Sequence, residues 1–162
     1  MFREMRRKKQ LLSHTAAEEI LVKGLTGVLG VSGDDDYPYT VPVNFVYDNG
    51  TIYFHCAKSG HKLDAIRKNN KVSFCVIDKE QIVPEEFTAY YRSVIAFGKA
   101  TEVEEDGEKL KVMRLLNQKY SPGLDEAGEK EIQREWKILC VIKIQVEHLT
   151  GKEAIELVKK RG

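Results

Sequence analysis

Between two runs of alternating apolar residues stands the tetrapeptide Asp48-Asn49-Gly50-Thr51. Asn-Gly is the pair that a two-residue type I′ turn asks for, because both central residues must take positive φ. This single turn sets a register. With Asn49-Gly50 as the loop, Asp48 faces Thr51, Tyr47 faces Ile52, Phe45 faces Phe54, Asn44 faces His55 and Val43 faces Cys56. Alternation then puts Val43, Phe45, Tyr47, Ile52, Phe54 and Cys56 on one face and Pro42, Asn44, His55 and Ala57 on the other. The first set reads as a core, the second as a candidate site.

The segment after His55 runs Cys56-Ala57-Lys58-Ser59-Gly60-His61-Lys62-Leu63, and a helix is expected from there to about Asn69. Ser59 suits its N-cap, and Gly60 lets a ligand approach the backbone closely. The first helical N–H groups have no partner inside the helix, and the positive end attracts anions. His61 and Lys62 add charge in the same turn. The segment therefore reads either as a phosphate seat or as a capped helix with solvated cations. Neither a Walker glycine-lysine pattern nor a GxGxxG occurs, so a P-loop or Rossmann site is excluded.

The chain has 162 residues, a length suited to one domain with its own core. Twenty-six basic against 25 acidic side chains give no nucleic-acid or membrane-surface signal. Cys56, Cys75 and Cys140 lie in separate apolar runs without metal-ligand spacing, and read as buried thiols of a cytoplasmic protein. Met1 to Gln10 is a basic arm with no apolar run behind it, so no secretory signal is expected.

In order, the pattern predicts a helix over 15–23 opened by a Thr15–Glu18 capping box and closed at Gly24. A strand over 26–32 and a second over 37–47 follow, the latter weakened by Pro38 and Pro42. A strand over 71–78 leads into a loop over 79–87. A long strand over 88–104 has Gly98 at its middle, which suggests a bulge. Helices over 108–120 and to about Trp136, a strand over 138–146 and a short helix over 151–160 complete the chain. The expected fold is α+β: a six-stranded antiparallel barrel with flanking helices.

Three segments together, Tyr39–Tyr47, Ile52–Asp64 and Tyr91–Ala100, resemble the pyridoxamine 5′-phosphate oxidase-like flavin-binding split barrels. Thr150-Gly151-Lys152-Glu153 is similar to a segment of the nitroimidazole-resistance branch of that superfamily. The resemblance implies a homodimer with FMN at the subunit interface. It implies flavin contacts from Pro42, Val43, Asn44 and His55, the last also tied to reactivity and so the candidate catalytic residue. It further implies phosphate contacts from Lys58, Ser59, Gly60, His61 and Lys62, and flavin contacts from Arg92, Ser93 and Val94. His61 stands where the oxidases carry arginine, which loses a bidentate fork. Ser93 stands where they carry glutamine. The chain ends Leu157-Val158-Lys159-Lys160-Arg161-Gly162 where the oxidases have a Trp- and Arg-rich segment, which speaks against vitamin B6 oxidation.

The alternatives for single residues are plain. From the residues alone His55 reads as a strand histidine bonded to Asn44, with the motif as a flavin neighbour, and Arg92 reads nearly equally as a salt-bridge partner on the face opposite Ser93. Two functions are expected from the whole: an FMN-dependent oxidoreductase acting on a small organic acceptor, or a non-catalytic dimeric module holding flavin or haem.

Overall fold

A computed structural model describes all of residues 1–162. Seven strands form one antiparallel sheet: β1 (Thr26–Ser32), β2 (Pro38–Asn44), β3 (Val46–Asp48), β4 (Thr51–Ala57), β5 (Lys71–Val83), β6 (Thr88–Glu102) and β7 (Leu139–Glu153). Their order is β2-β1-β5-β6-β7-β4-β3. The helices are α1 (His14–Lys23), α2 (His61–Lys68), α3 (Asp106–Tyr120), α4 (Asp125–Glu135) and α5 (Ile155–Arg161). None is long and apolar enough to cross a membrane.

The Asn-Gly turn forms as its chemistry requires, with φ of 46° at Asn49 and 81° at Gly50. The derived register holds for Asp48↔Thr51, Tyr47↔Ile52 and Val46↔Tyr53 and ends there. The expected 37–47 strand is two strands, and Phe45 carries the chain from one edge of the sheet to the other. That break makes seven strands out of the expected six, and the sheet is not closed by hydrogen bonds at this seam. Asn44 pairs with Thr26 and Val43 with Gly27, so neither faces β4.

The break has a local cause in α3. The Phe45 N–H donates to Tyr120 Oη at 2.9 Å, and its carbonyl accepts from Tyr120 Oη at 2.8 Å and from Lys119 Nζ at 2.9 Å. The Phe45 backbone groups, left without a neighbouring strand, are thus satisfied by side chains. Lys119 also donates to the Gly24 carbonyl and lies 4.2 Å from the Phe45 ring centroid. Burial pulls its ammonium down to about 8.

The face assignment of the hairpin stands. Phe45, Ile52 and Phe54 are fully buried in the main core, with Val43, Tyr47 and Cys56 packed against it. Residues Ala17, Ile20 and Leu21 of α1 and Leu63, Ala65 and Ile66 of α2 join the same core. A second core lies outside the sheet. Tyr53, Val46, Val141 and Leu139 on the outward side of β3, β4 and β7 pack against Val112, Met113 and Leu116 of α3 and Ile132 of α4. The hairpin therefore has packing on both faces rather than one core face and one open face.

Other boundaries shift for physical reasons. Ser13, not Thr15, caps α1, its Oγ accepting from the Ala16 N–H at 3.1 Å. Gly24 ends α1 in an extended conformation. The expected 79–87 loop is mostly strand: β5 continues to Val83, and Phe87 in left-handed geometry turns the chain into β6. The Gly98 bulge is present, with the β6–β7 register shifting between Phe97 and Gly98. A Cβ at Gly98 would lie 2.2 Å from the Gln145 carbonyl oxygen, so the close approach requires glycine. The last strand runs through Thr150-Gly151-Lys152-Glu153, although the sequence pattern starts a helix at Gly151.

Candidate functional site

The turn between β4 and α2 is built for close approach. Gly60, not Ser59, is the N-cap, with φ 137° and ψ 167°, and no side chain caps the helix. A Cβ at Gly60 would meet nothing within 4 Å, so it is backbone conformation and not crowding that selects glycine. The first amides of α2 are left facing outward at the positive helix end. Lys58, Ser59, Gly60 and His61 are exposed and Lys62 is half-buried. This donor set of backbone N–H groups, a hydroxyl and two ammonium groups fits an oxyanion such as a phosphate.

His61 is oriented by the β1–β2 turn, which sequence reasoning did not connect with it. Its ring stacks on Tyr39 with centroids 4.0 Å apart, and its Nε2 lies 3.9 Å from Asp34 Oδ2. Asp34 brings a carboxylate to the rim of the seat and weakens its positive field. Lys58 and Lys62 then supply the positive charge of the turn, and Lys62 acts on the neighbouring Cys56 thiol.

The other predicted residues separate into three places. Pro42 and Asn44 lie exposed on the outward face of β2, and Val43 points into the core. Asn44 donates from Nδ2 to the Leu25 carbonyl at 2.9 Å, and the expected Asn44–His55 pairing is absent. His55 lies outward on β4, opposite Val141 of β7, itself a member of the second core. Although its surface is open on one side, surrounding protein desolvates the imidazole and moves its pKa below the ordinary value. It is therefore neutral at neutral pH and offers one donor and one acceptor nitrogen.

Arg92, Ser93 and Val94 sit far from the α2 turn. Across the ladders Phe54 is level with Ile142 and Glu102, and Arg92 lies ten residues earlier along β6. At ~3.3 Å per residue that is a separation of about 30 Å along the strand. Val94 is buried in the main core. Arg92 is held 3.4 Å from Asp78 Oδ2 and 3.3 Å from Oε2 of the fully buried Glu153, which also pairs with Arg161. The salt-bridge reading of Arg92 is the observed one. Ser93 alone of the three faces outward, opposite Ile77 and Lys152.

The outward face shared by Pro42, Asn44 and Ser93 is crossed at one end by the N-terminal arm, where Phe2 stacks on Phe97 and His148 with ring centroids 5.6 and 4.8 Å away. Rows such as Pro42–Val28–Cys75–Ile95 and Thr40–Gly30–Ser73–Phe97–His148 cross β2, β1, β5, β6 and β7. A groove of about 600 Å³ lies on it, lined by Gly30, Ser32, Tyr39, Thr40, Ser73 and Phe97 among others. Tyr39 links this groove to His61 and so to the α2 turn. A second groove of about 680 Å³, around Trp136 between α3 and α4, touches none of the motif residues.

With this geometry in hand, the kinship of the chain can be stated. A family model for pyridoxamine 5′-phosphate oxidase matches residues 13–153, and the chain belongs to that family. Solved structures share the fold. One is a candidate 5-nitroimidazole antibiotic resistance protein from Bacteroides thetaiotaomicron, at 24% identity and TM-score 0.73 over 88% of this chain and 86% of that one. Another is a conserved hypothetical protein from Mycobacterium tuberculosis, at 17% identity and TM-score 0.80 over 93% and 90%. A third is an FAD-binding protein from Mesorhizobium loti, at 24% identity and TM-score 0.64 over 90% and 97%. No curated protein sequence matches the chain.

Proposed function

We propose that this protein is a flavin-dependent oxidoreductase that binds FMN at the α2 turn and acts as a homodimer on a small organic acceptor. The observation that carries the reading is the uncapped α2 N-terminus behind Gly60, beside Lys62, in a chain of this family. The Ser59 hydroxyl, the first amides of α2 and the Lys58 and Lys62 ammonium groups take the phosphate. Pro42 and Asn44 flank the ring and ribityl chain, and neutral His55, which lies apart from them on β4, offers its hydrogen bond from the other side of the sheet order. When bound, the flavin supplies hydride or electron transfer, and the protein supplies position and local charge.

Dimerisation is supported by the apolar side chains left exposed on the outward face of the sheet. Val28, Ile77, Ile95 and Phe97 expose 38%, 63%, 43% and 39% of their surface on one side of the sheet. A contiguous apolar surface of this kind is suited to a partner. A second copy is also a means of bringing further residues, Ser93 among them, to the ligand. Reduction of nitro compounds, as in the nitroimidazole-resistance branch, is the activity that fits the motif resemblance.

The test is titration of the purified protein with FMN, FAD and riboflavin, followed by flavin absorbance and fluorescence. Binding in the order FMN above riboflavin is expected. FAD binding as tightly as FMN would move the assignment to the dinucleotide, since the open seat leaves room beyond the first phosphate. Binding of none of the three at micromolar concentration would overturn the reading. Steady-state oxidation of reduced nicotinamide with a nitro or quinone acceptor then separates an enzyme from a flavin carrier.

A further inference from the structure

Cys56 and Cys140, separated in sequence by most of the chain, are directly opposite each other in the β4–β7 ladder. Residues facing each other in an antiparallel pair have Cα atoms about 4.5–5.5 Å apart, inside the range a disulfide spans. Both side chains point to the same side: Cys140 belongs to the main core and Cys56 packs against it. Each thiol is free, and Cys75 lies on the opposite, outward face of the sheet.

The two thiols are not equivalent. Cys56 is half-buried at the open end of β4, next to Lys62. Cys140 is 8% exposed, and its S–H donates to Glu102 Oε1 at 3.4 Å. Glu102 is itself held by a bidentate pair with Arg67, both contacts at 2.9 Å. Burial raises both thiols, Cys140 up to about 12, while Lys62 draws Cys56 back down. The more accessible sulfur, beside the Lys62 ammonium, is therefore the attacking one, and the buried one resolves.

We propose that Cys56 and Cys140 form a redox pair that closes a reversible cross-strand disulfide when the protein meets a hydroperoxide. The Cys56 thiolate attacks the distal peroxide oxygen, forming a sulfenic acid and releasing an alkoxide, or hydroxide, that takes a proton from water. Cys140 then attacks the sulfenic sulfur, its proton passes by way of Glu102 to the departing hydroxyl, and this leaves as water as the S–O bond breaks and the S–S bond forms. Two sulfurs lose two electrons and one O–O bond is reduced. The link ties the end of β4, from which the Lys58–Lys62 turn departs, to β7. It is independent of whether a flavin is bound.

The experiment treats the full-length wild-type protein with hydrogen peroxide at pH 7, 7.5, 8 and 8.5. Free thiols are then alkylated, and intact mass and proteolytic peptides are read by mass spectrometry. The expected product has lost two hydrogens, carries a Cys56–Cys140 peptide, keeps Cys75 alkylatable and reverts with dithiothreitol. Its rate rises close to tenfold per pH unit, as the thiolate fraction of a thiol titrating above this range does. Cys75→Ala should give the same product at the same rate. Cys140→Ala should instead accumulate the sulfenic or more oxidised forms at Cys56. Disulfides involving Cys75, links between chains only, or three thiols that remain alkylatable at pH 8.5 would each overturn the proposal.

Discussion

The outward surface of the sheet has two halves with different fates. Over β7, β4 and β3 it is apolar and covered: Val46, Tyr53, Leu139 and Val141 are buried beneath α3 and α4. Over β2, β1, β5 and β6 it is mixed and open, with Gly30 and Ser73 at its middle and Val28, Ile95 and Phe97 around them. The covered half needs its helices to exclude water from large side chains. The open half has a small-residue floor beside exposed apolar side chains, which suits a flat ligand or a second copy better than a helix of this chain. The covered half thus serves stability, and the proposed function places binding on the open half.

The largest expected effect lies in the covered half. Leu116→Ala removes a side chain that is 5% exposed between α3 and the sheet, and should cost roughly 2–5 kcal/mol in urea unfolding. A loss under ~1 kcal/mol would mean that α3 lies loosely and that the halves differ less than described.

A smaller effect is expected at the seam between the halves. Tyr120→Phe leaves the Phe45 N–H without its partner and removes the hydroxyl that donates to Phe45 and Leu25 carbonyls. A loss of roughly 1–3 kcal/mol is expected, the usual penalty for a polar group deprived of its partner. Faster amide exchange at Phe45, with the Val46–Tyr53 pairing kept, would place the loss at the crossover itself.

The smallest change in fold stability is expected on the open half. Ile95→Ser, at a residue 43% exposed, should leave unfolding of the isolated chain within about 0.5 kcal/mol of wild type. The same substitution should weaken self-association in sedimentation equilibrium, if this half is the dimer face. Unchanged association would shift that face elsewhere.

What could be read from the residues alone follows from how local the physics is. The Asn49-Gly50 turn and the Gly98 bulge carry their own backbone chemistry, so both were legible. The break at Phe45 was not, because the groups that take over its backbone belong to Tyr120 and Lys119, 75 and 74 residues away. The 79–83 extension of β5 was also hidden. Lys79, Glu80 and Gln81 lie in a hairpin arm without one dry face, so no apolar alternation marks it. In the site, Gly60 and Lys62 were legible from the turn, while the Tyr39–His61 stack and nearby Asp34 depend on a distant turn. Arg92 fits a ligand motif as text, yet its partners Asp78 and Glu153 are visible only once β5, β6 and β7 are side by side.

The central claim is that the α2 turn seats a flavin phosphate, and Lys62→Ala tests it most directly. The ammonium contributes a charge-assisted contact worth roughly 1.5–3 kcal/mol. FMN affinity should therefore fall about ten- to hundredfold, with the circular dichroism spectrum unchanged. Riboflavin, which has no phosphate to lose contact with, should bind wild type and variant equally. Equal FMN affinities for the two proteins would contradict the account and place the phosphate away from Lys62.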